Sequence, residues 1–326
     1  MNKFLIIAFS FIFFTSCNNK NHKMSGLVFG TSYTVQYGGK NNKKMQIKVD
    51  SLFYAINKSM STYDTNSLIS KINRNESHSI DEHFLKVFDA SKEIYQETDG
   101  AFDPTIGDLV NAWNFGSEGK VKDLDSLKID SLMLSVGLDK VRREGYNIIK
   151  EHPNTYLDFN AIAKGYSVDV VSEFLDSYGI ENYIVEIGGE IRTKGINLEK
   201  SHPWKVGVEM PHFDGSRSII RSISLNNKAM ATSGTYRKFK VDDQGNRYSH
   251  IIDAKTGYPS ITNLLSISVI APNCMIADAY ATAFKTMGIE KVKTFLQTHP
   301  ELQVFLIFED ENKELKNLSL NGYPES

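Results

Sequence analysis

Four stretches of the chain combine residue types that packing alone does not call for. In Asn273 to Ala283 (NCMIADAYATA), Asp278 and Thr282 stand four residues apart, so on a helix their side chains lie one above the other. Both are oxygen donors, and the surrounding alanines keep the helix surface low. One carboxylate, one hydroxyl and a backbone carbonyl suit Mg²⁺, which prefers oxygen and keeps waters or phosphate oxygens as its other ligands. The competing reading is an Asp278 that caps or pairs locally. In Asp158 to Tyr166 (DFNAIAKGY) a strand pattern gives way to a helix pattern. Free backbone donors there, with Lys164 in the first turn, would receive a phosphate. The GxxxxGK spacing of a P-loop is absent, and an Asx turn beside a solvated lysine is the alternative. His250, in YSHIIDAKTGYP and downstream of ATSGTYR, has the chemistry of a base, an acid or a phosphate ligand near neutral pH. It can equally be structural. Gly100 to Gly107 (GAFDPTIG), with WNFG from Trp113, sets glycine and proline around an acid and large aromatics. That describes either a loop shaped to admit a flat ring system or a turn over a buried tryptophan.

These residues need a scaffold, and hydropathy periodicity supplies its outline. Helices are expected at about 48–57, 81–97, 163–178, 273–287 and 289–298, the second closed by Gly100 and the third by Gly179. Strands are expected at 31–37, 147–150, 156–159, 183–187, 205–208, 219–225, 265–270 and 303–308. Strands and helices alternate without a strict period, which predicts an α+β fold with mixed sheets and packed helices. No short-period repeat and no low-complexity tract interrupts it.

Composition narrows the function. The chain has 326 residues, 41% hydrophobic and 23% charged, as in an ordinary folded protein. Its 37 Lys+Arg against 39 Asp+Glu leave a net charge of −2, so there is no global basic field to hold nucleic acid. Cys17 and Cys274 are the only cysteines, too few for a disulfide framework, a zinc ribbon, an iron–sulfur cluster or a CxxC redox pair. The first residues, MNKFLIIAFSFIFFTSC, join a lone Lys3 to an apolar run that falls short of the roughly 20 residues of a membrane span. This resembles a bacterial lipoprotein signal: residues 1–16 are expected to be removed, Cys17 lipidated, and 17–25 to form a polar tether before a domain at 26–326; the alternative is an uncleaved anchor or a coincidental cysteine. The expected location is the bacterial cell envelope, lipid-anchored and facing the periplasm.

Taken in order, the blocks resemble the FAD:protein FMN transferase family, also called the ApbE family. They are FGTSY from Phe29, MSTYDTNSLISKIN from Met60, GAFDPTIG from Gly100, WNFG from Trp113, AKGYSVD from Ala163, EIGGEIRTKG from Glu186, ATSGTYR from Ala231, HIIDAKTGYP from His250 and ADAYAT from Ala277. The resemblance implies an ApbE/T-fold-like architecture and an enzyme that binds FAD, uses Mg²⁺ and moves FMN onto a Thr or Ser hydroxyl of an acceptor flavoprotein, releasing AMP. It implies metal ligation by Asp278, Thr282 and the carbonyl of Ala161. It implies FAD contacts at Tyr63, Ala101, Phe102, Asp103, Asp158, Lys164, His250 and Ile251, with His250 assisting proton transfer. The rings of Tyr63 and Phe102 would stack on the isoalloxazine, and Gly188-Gly189 would let the nucleotide approach backbone. Asp253 to Gly257 matches the start of the family's acceptor pattern, D-x-x-(S/T)-G-A-(S/T), but Tyr258-Pro259 breaks it, so no self-flavinylation is expected there. The rival readings are an FAD pyrophosphatase, in which water replaces the acceptor, and a flavin-binding lipoprotein without turnover.

Overall fold

The computed structural model describes residues 20–39, 44–119, 121–236, 239–241 and 247–325. The signal segment and Cys17 lie outside the described residues. In chain order the elements are β1 (Asn21–Val28), β2 (Thr31–Gly38), α1 (Met45–Met60), α2 (Leu68–Asn73), α3 (Glu82–Glu97), α4 (Gly107–Ala112), α5 (Ser126–Met133), β3 (Val141–Glu144) and β4 (Asn147–Lys150). Then come α6 (Ala163–Ser177), β5 (Tyr183–Ile187), β6 (Glu190–Lys194), β7 (Ile196–Asn197), β8 (His202–Glu209), β9 (Ile219–Leu225), β10 (Ala229–Gly234), β11 (Phe239–Val241) and β12 (Arg247–Ser249). The chain ends with β13 (Leu264–Ala271), α7 (Cys274–Met287), α8 (Ile289–Phe295), β14 (Gln303–Glu309) and β15 (Leu315–Leu320). Among the described residues no helix is long and apolar enough to cross a membrane.

The α+β class is as expected. Its main sheet has eight strands in the order β1-β2-β5-β6-β10-β13-β14-β15. Neighbours pair antiparallel throughout, and the parallel pairing among the described residues is a bridge from Ile106 to Tyr156. Every residue of β13 is buried, because the sheet is covered on both faces. Ile267 and Val269 of β13, with Val304 and Leu306 of β14, join the helical core that includes Ala281 and Phe284 of α7. Ile270, Phe305 and Ile307 face Val206, Val208, Ile223 and Leu225 of the β8–β9 hairpin. That alternation is the period-2 geometry of a strand buried on both sides. A further cluster packs Tyr33, Val35, Tyr183 and Val185 against Val49 and Phe53 of α1 and Val171 and Leu175 of α6.

Local chemistry sets the helix ends that matter for the site. At the start of α7 the Asn273 side chain accepts from Ile276 N at 2.9 Å. Asp169 of α6 accepts from Cys274 N at 2.9 Å and Met275 N at 2.8 Å, so two of the four donors left free by helix geometry are met by the neighbouring helix. The start of α3 is capped by Asp81, and beyond its end Gly100 takes φ +74° and donates to Tyr95 O at 2.8 Å, as a left-handed terminus requires.

Two expectations are corrected. Residues 156–159 are not a strand. Their backbone is claimed elsewhere: Leu157 N donates to Asn73 Oδ1 at 2.8 Å, Asn73 Nδ2 donates to Leu157 O at 2.9 Å, and Asp158 N donates to Pro104 O at 2.7 Å. The polar stretch ends earlier than 25, since β1 pairs with β2 from Asn21 opposite Gly38 and buries Met24. Its composition is that of an edge strand with one face in water, which reads like a tether in the sequence. The strands β1, β3, β6, β7, β10, β11, β12 and β15 and the helices α2, α4 and α5 add to the elements the periodicity marked.

Candidate active site

The site is built where the start of α6 meets the middle of α7. Gly165 makes the approach possible: a Cβ there would stand 2.3 Å from Cys274 O and 2.8 Å from Asp278 Cβ, closer than atoms can pack. The approach lets Gly165 N donate to Asp278 Oδ2 at 2.9 Å. One turn further along α7, Thr282 Oγ1 shares a hydrogen bond of 3.1 Å with Ser233 Oγ of β10. Asp278 and Thr282 therefore do stand on one face, enclosed between α6 and β10, and Asp278 is buried. Burial pushes the Asp278 pKa up, opposed by Lys164 and the Gly165 amide.

Lys164, in the first turn of α6, forms an ion pair with Glu190 at the start of β6. The solvated-lysine alternative does not hold. Burial works to lower its pKa, but Glu190 and then Asp278 outweigh burial and hold the ammonium well above the usual lysine range. The other half of that alternative, the Asx turn, does form: Asp158 Oδ1 accepts from Asn160 N at 2.7 Å. Ala161 follows in the turn that leads into α6, whose first turn carries no acidic side chain and whose cap residue Ile162 offers no capping bond.

Around this centre the other residues divide. Tyr63 is 61% exposed, with a ring open to stacking, and burial followed by the nearby Asp158 charge raises its pKa. Phe102 is 2% exposed and its ring belongs to the main core, which corrects the expectation that it stacks on a ligand. A ligand can meet this loop only through backbone or through its neighbours. Ala101 O accepts from Thr286 Oγ1 of α7 at 3.2 Å. Asp103 is buried, and burial lifts its carboxyl to about 6 although Thr105 N and Thr105 Oγ1 donate to it at 2.8 and 2.6 Å. His250 is half-buried with its ring 6.2 Å from Phe115, and Ile251 is buried. Their loop is latched by Trp113, whose Nε1 donates to Gly257 O at 2.9 Å and whose ring sits 5.7 Å from Tyr248 and 5.8 Å from Tyr258. The tryptophan thus pins the histidine loop. Direct contacts join Lys164 to Glu190, Gly165 to Asp278 and Thr282 to Ser233, while His250 and Ile251 stand on the separate, latched loop.

Sequence reasoning did not single out Glu190 or Ser233. Both lay inside blocks already quoted, EIGGEIRTKG and ATSGTYR, but nothing in their spacing ties them to α6 or α7. Among the described residues no three His, Cys, Asp or Glu side chains converge as a metal cluster, so a cation here leans on mixed oxygen donors. The residues fit a hard divalent ion: a buried carboxylate, a hydroxyl and a carbonyl in the adjacent turn.

Fold and site together define an α+β protein with an oxygen-donor pair and an ion-paired lysine gathered at a helix start, an arrangement suited to an anionic phosphate ligand. The ApbE family profile matches residues 29–306. The FAD:protein FMN transferase of Vibrio cholerae serotype O1 is 37% identical over 302 residues, covering 89% of each chain, and that of Haemophilus influenzae is 36% identical, covering 89% of this chain and 87% of the relative. The solved flavin transferase ApbE from Vibrio cholerae superposes with a TM-score of 0.82 at 34% identity, covering 92% of this chain and 97% of the other. The chain belongs to the ApbE family.

Proposed function

We propose that the protein is an FAD:protein FMN transferase. The observation that carries this reading is the Asp278–Thr282 face set against the start of α6, with the Lys164 ammonium held beside it. In the reaction an acceptor Thr or Ser hydroxyl oxygen attacks the FMN-side phosphorus of FAD. The bond from that phosphorus to the bridging oxygen breaks, and AMP leaves with the bridging oxygen. The hydroxyl proton passes to the imidazole of His250 and from there to solvent. Mg²⁺, held by Asp278, Thr282 and the Ala161 carbonyl, would neutralise charge on the diphosphate when bound.

The chain's own residues do the rest. Lys164 supplies a permanent positive charge to the diphosphate, since Glu190 and Asp278 keep it protonated at neutral pH. The α6 N-terminus adds its dipole. Tyr63 offers a ring face to the isoalloxazine, and Ala101, Phe102 and Asp103 offer the backbone of a rigid loop. His250 and Ile251 close the site from the loop that Trp113 holds. The acceptor is a flavoprotein carrying D-x-x-(S/T)-G-A-(S/T). Lipidation at Cys17 would place the enzyme on the periplasmic side of the envelope, where acceptor and FAD meet it.

The test mixes protein lacking residues 1–17 with FAD, Mg²⁺ and an acceptor domain, and reads flavin fluorescence on a denaturing gel. A fluorescent acceptor band is the expected result. AMP and free FMN without a labelled acceptor would make the protein a pyrophosphatase, and unchanged FAD would make it a carrier.

A further inference from the structure

We propose that Glu190 is a positioning residue for the diphosphate, holding the Lys164 ammonium at the start of α6 beside Asp278. The proposal rests on reading this site as one for a dinucleotide diphosphate. Glu190 opens β6 immediately after the Gly188-Gly189 turn, and its side chain is only 3% exposed. A carboxylate taken this far out of water survives only with a counter-charge, and Lys164 is the cation that meets it. Its other oxygen, Oε2, is buried without a partner, a costly arrangement concentrated in functional sites. The turn fixes where the carboxylate points. Gly188 takes φ +63° and donates to Ser32 O at 3.0 Å, and a Cβ on it would stand 2.9 Å from Thr31 Cγ2 and 3.5 Å from Glu190 Oε2. A flexible lysine would otherwise sample water, so the contact from β6 spends its rotamer freedom before the ligand arrives.

The experiment measures Mg²⁺-dependent binding of two probes, inorganic pyrophosphate by calorimetry and FAD by fluorescence, to the wild type, Glu190→Gln, Lys164→Met and the double variant. Glu190→Gln keeps the volume and removes the charge. The expected result is about tenfold weaker binding of both probes, as for loss of one charge-assisted contact. In the Lys164→Met background Glu190→Gln should then cost nothing more, a non-additivity that a general structural role does not produce. Unchanged pyrophosphate affinity in Glu190→Gln, or an equal loss with and without Lys164, overturns the proposal. If Glu190→Gln fails to fold, Glu190→Asp, with the charge kept one methylene short, takes its place against the same expectation of a Lys164-dependent loss. A wild type that binds pyrophosphate in this pattern but not FAD would sink the transferase reading and leave the role of Glu190 standing.

Discussion

Replacing Gly165 by alanine tests the site at its tightest point. The added Cβ would meet Cys274 O at 2.3 Å and Asp278 Cβ at 2.8 Å, and backbone cannot swing away as a side-chain tip can. Restoring ordinary contact at about 3.4 Å means parting α6 and α7 locally by about 1 Å. Overpacking of this kind costs about 1–3 kcal/mol, offset by the roughly 0.8–1 kcal/mol that alanine gains over glycine inside a helix. The net loss of stability is therefore small, about 0–2 kcal/mol, and the chain stays folded. The chemistry suffers more. The parting stretches the bond from the residue-165 amide to Asp278 Oδ2, now 2.9 Å, and shifts the carboxylate relative to Lys164. A misplacement of about 1 Å costs about a hundredfold in rate. The assay pairs thermal melting with the initial rate of FMN transfer to the acceptor. A variant that melts within a few degrees of the wild type and transfers flavin at the wild-type rate would refute the account of how α6 and α7 build the site.

Further outcomes follow from the same geometry. Asp278→Ala should lower transfer by at least about a hundredfold while leaving the circular dichroism spectrum intact; full activity in Mg²⁺ would remove Asp278 from the metal site. Asp103 carries a pH signature, because its folded pKa of about 6 lies above its usual 3.8. Below both values the carboxyl is protonated in either state. As pH rises from about 4 to about 6 the unfolded chain ionises first, so this group subtracts stability, by up to about 3 kcal/mol, and then levels off. Urea denaturation across that range should show the decline in wild type and less of it in Asp103→Asn; parallel curves would contradict it. Incubated with FAD and Mg²⁺ but no acceptor, the protein should carry no flavin on Thr256, and a modified Thr256 peptide in mass spectrometry would overturn the reading of Tyr258-Pro259 as a broken acceptor pattern.

What depends on near neighbours along the chain was legible from the residues alone. Helical spacing put Asp278 and Thr282 on one face, and the structure keeps them there, enclosed between α6 and β10. The start of α3 near residue 81, the Gly100 terminus and the α6 start after Asp158 were legible for the same reason, and the ordered blocks of residues identified the family. Tertiary structure decided what spans long separations. Whether Phe102 faced a ligand or the core, whether residues 156–159 found a strand partner or Asn73 and Pro104, and whether residues 21–25 stayed free or paired with β2 were all settled by distant elements. Glu190 reaches Lys164 only because a turn between two central strands delivers it to the start of a helix 26 residues earlier in the chain. Periodicity encodes which face a side chain takes on its own element, whereas the partner on the far side is chosen by burial, which acts on the whole folded chain at once.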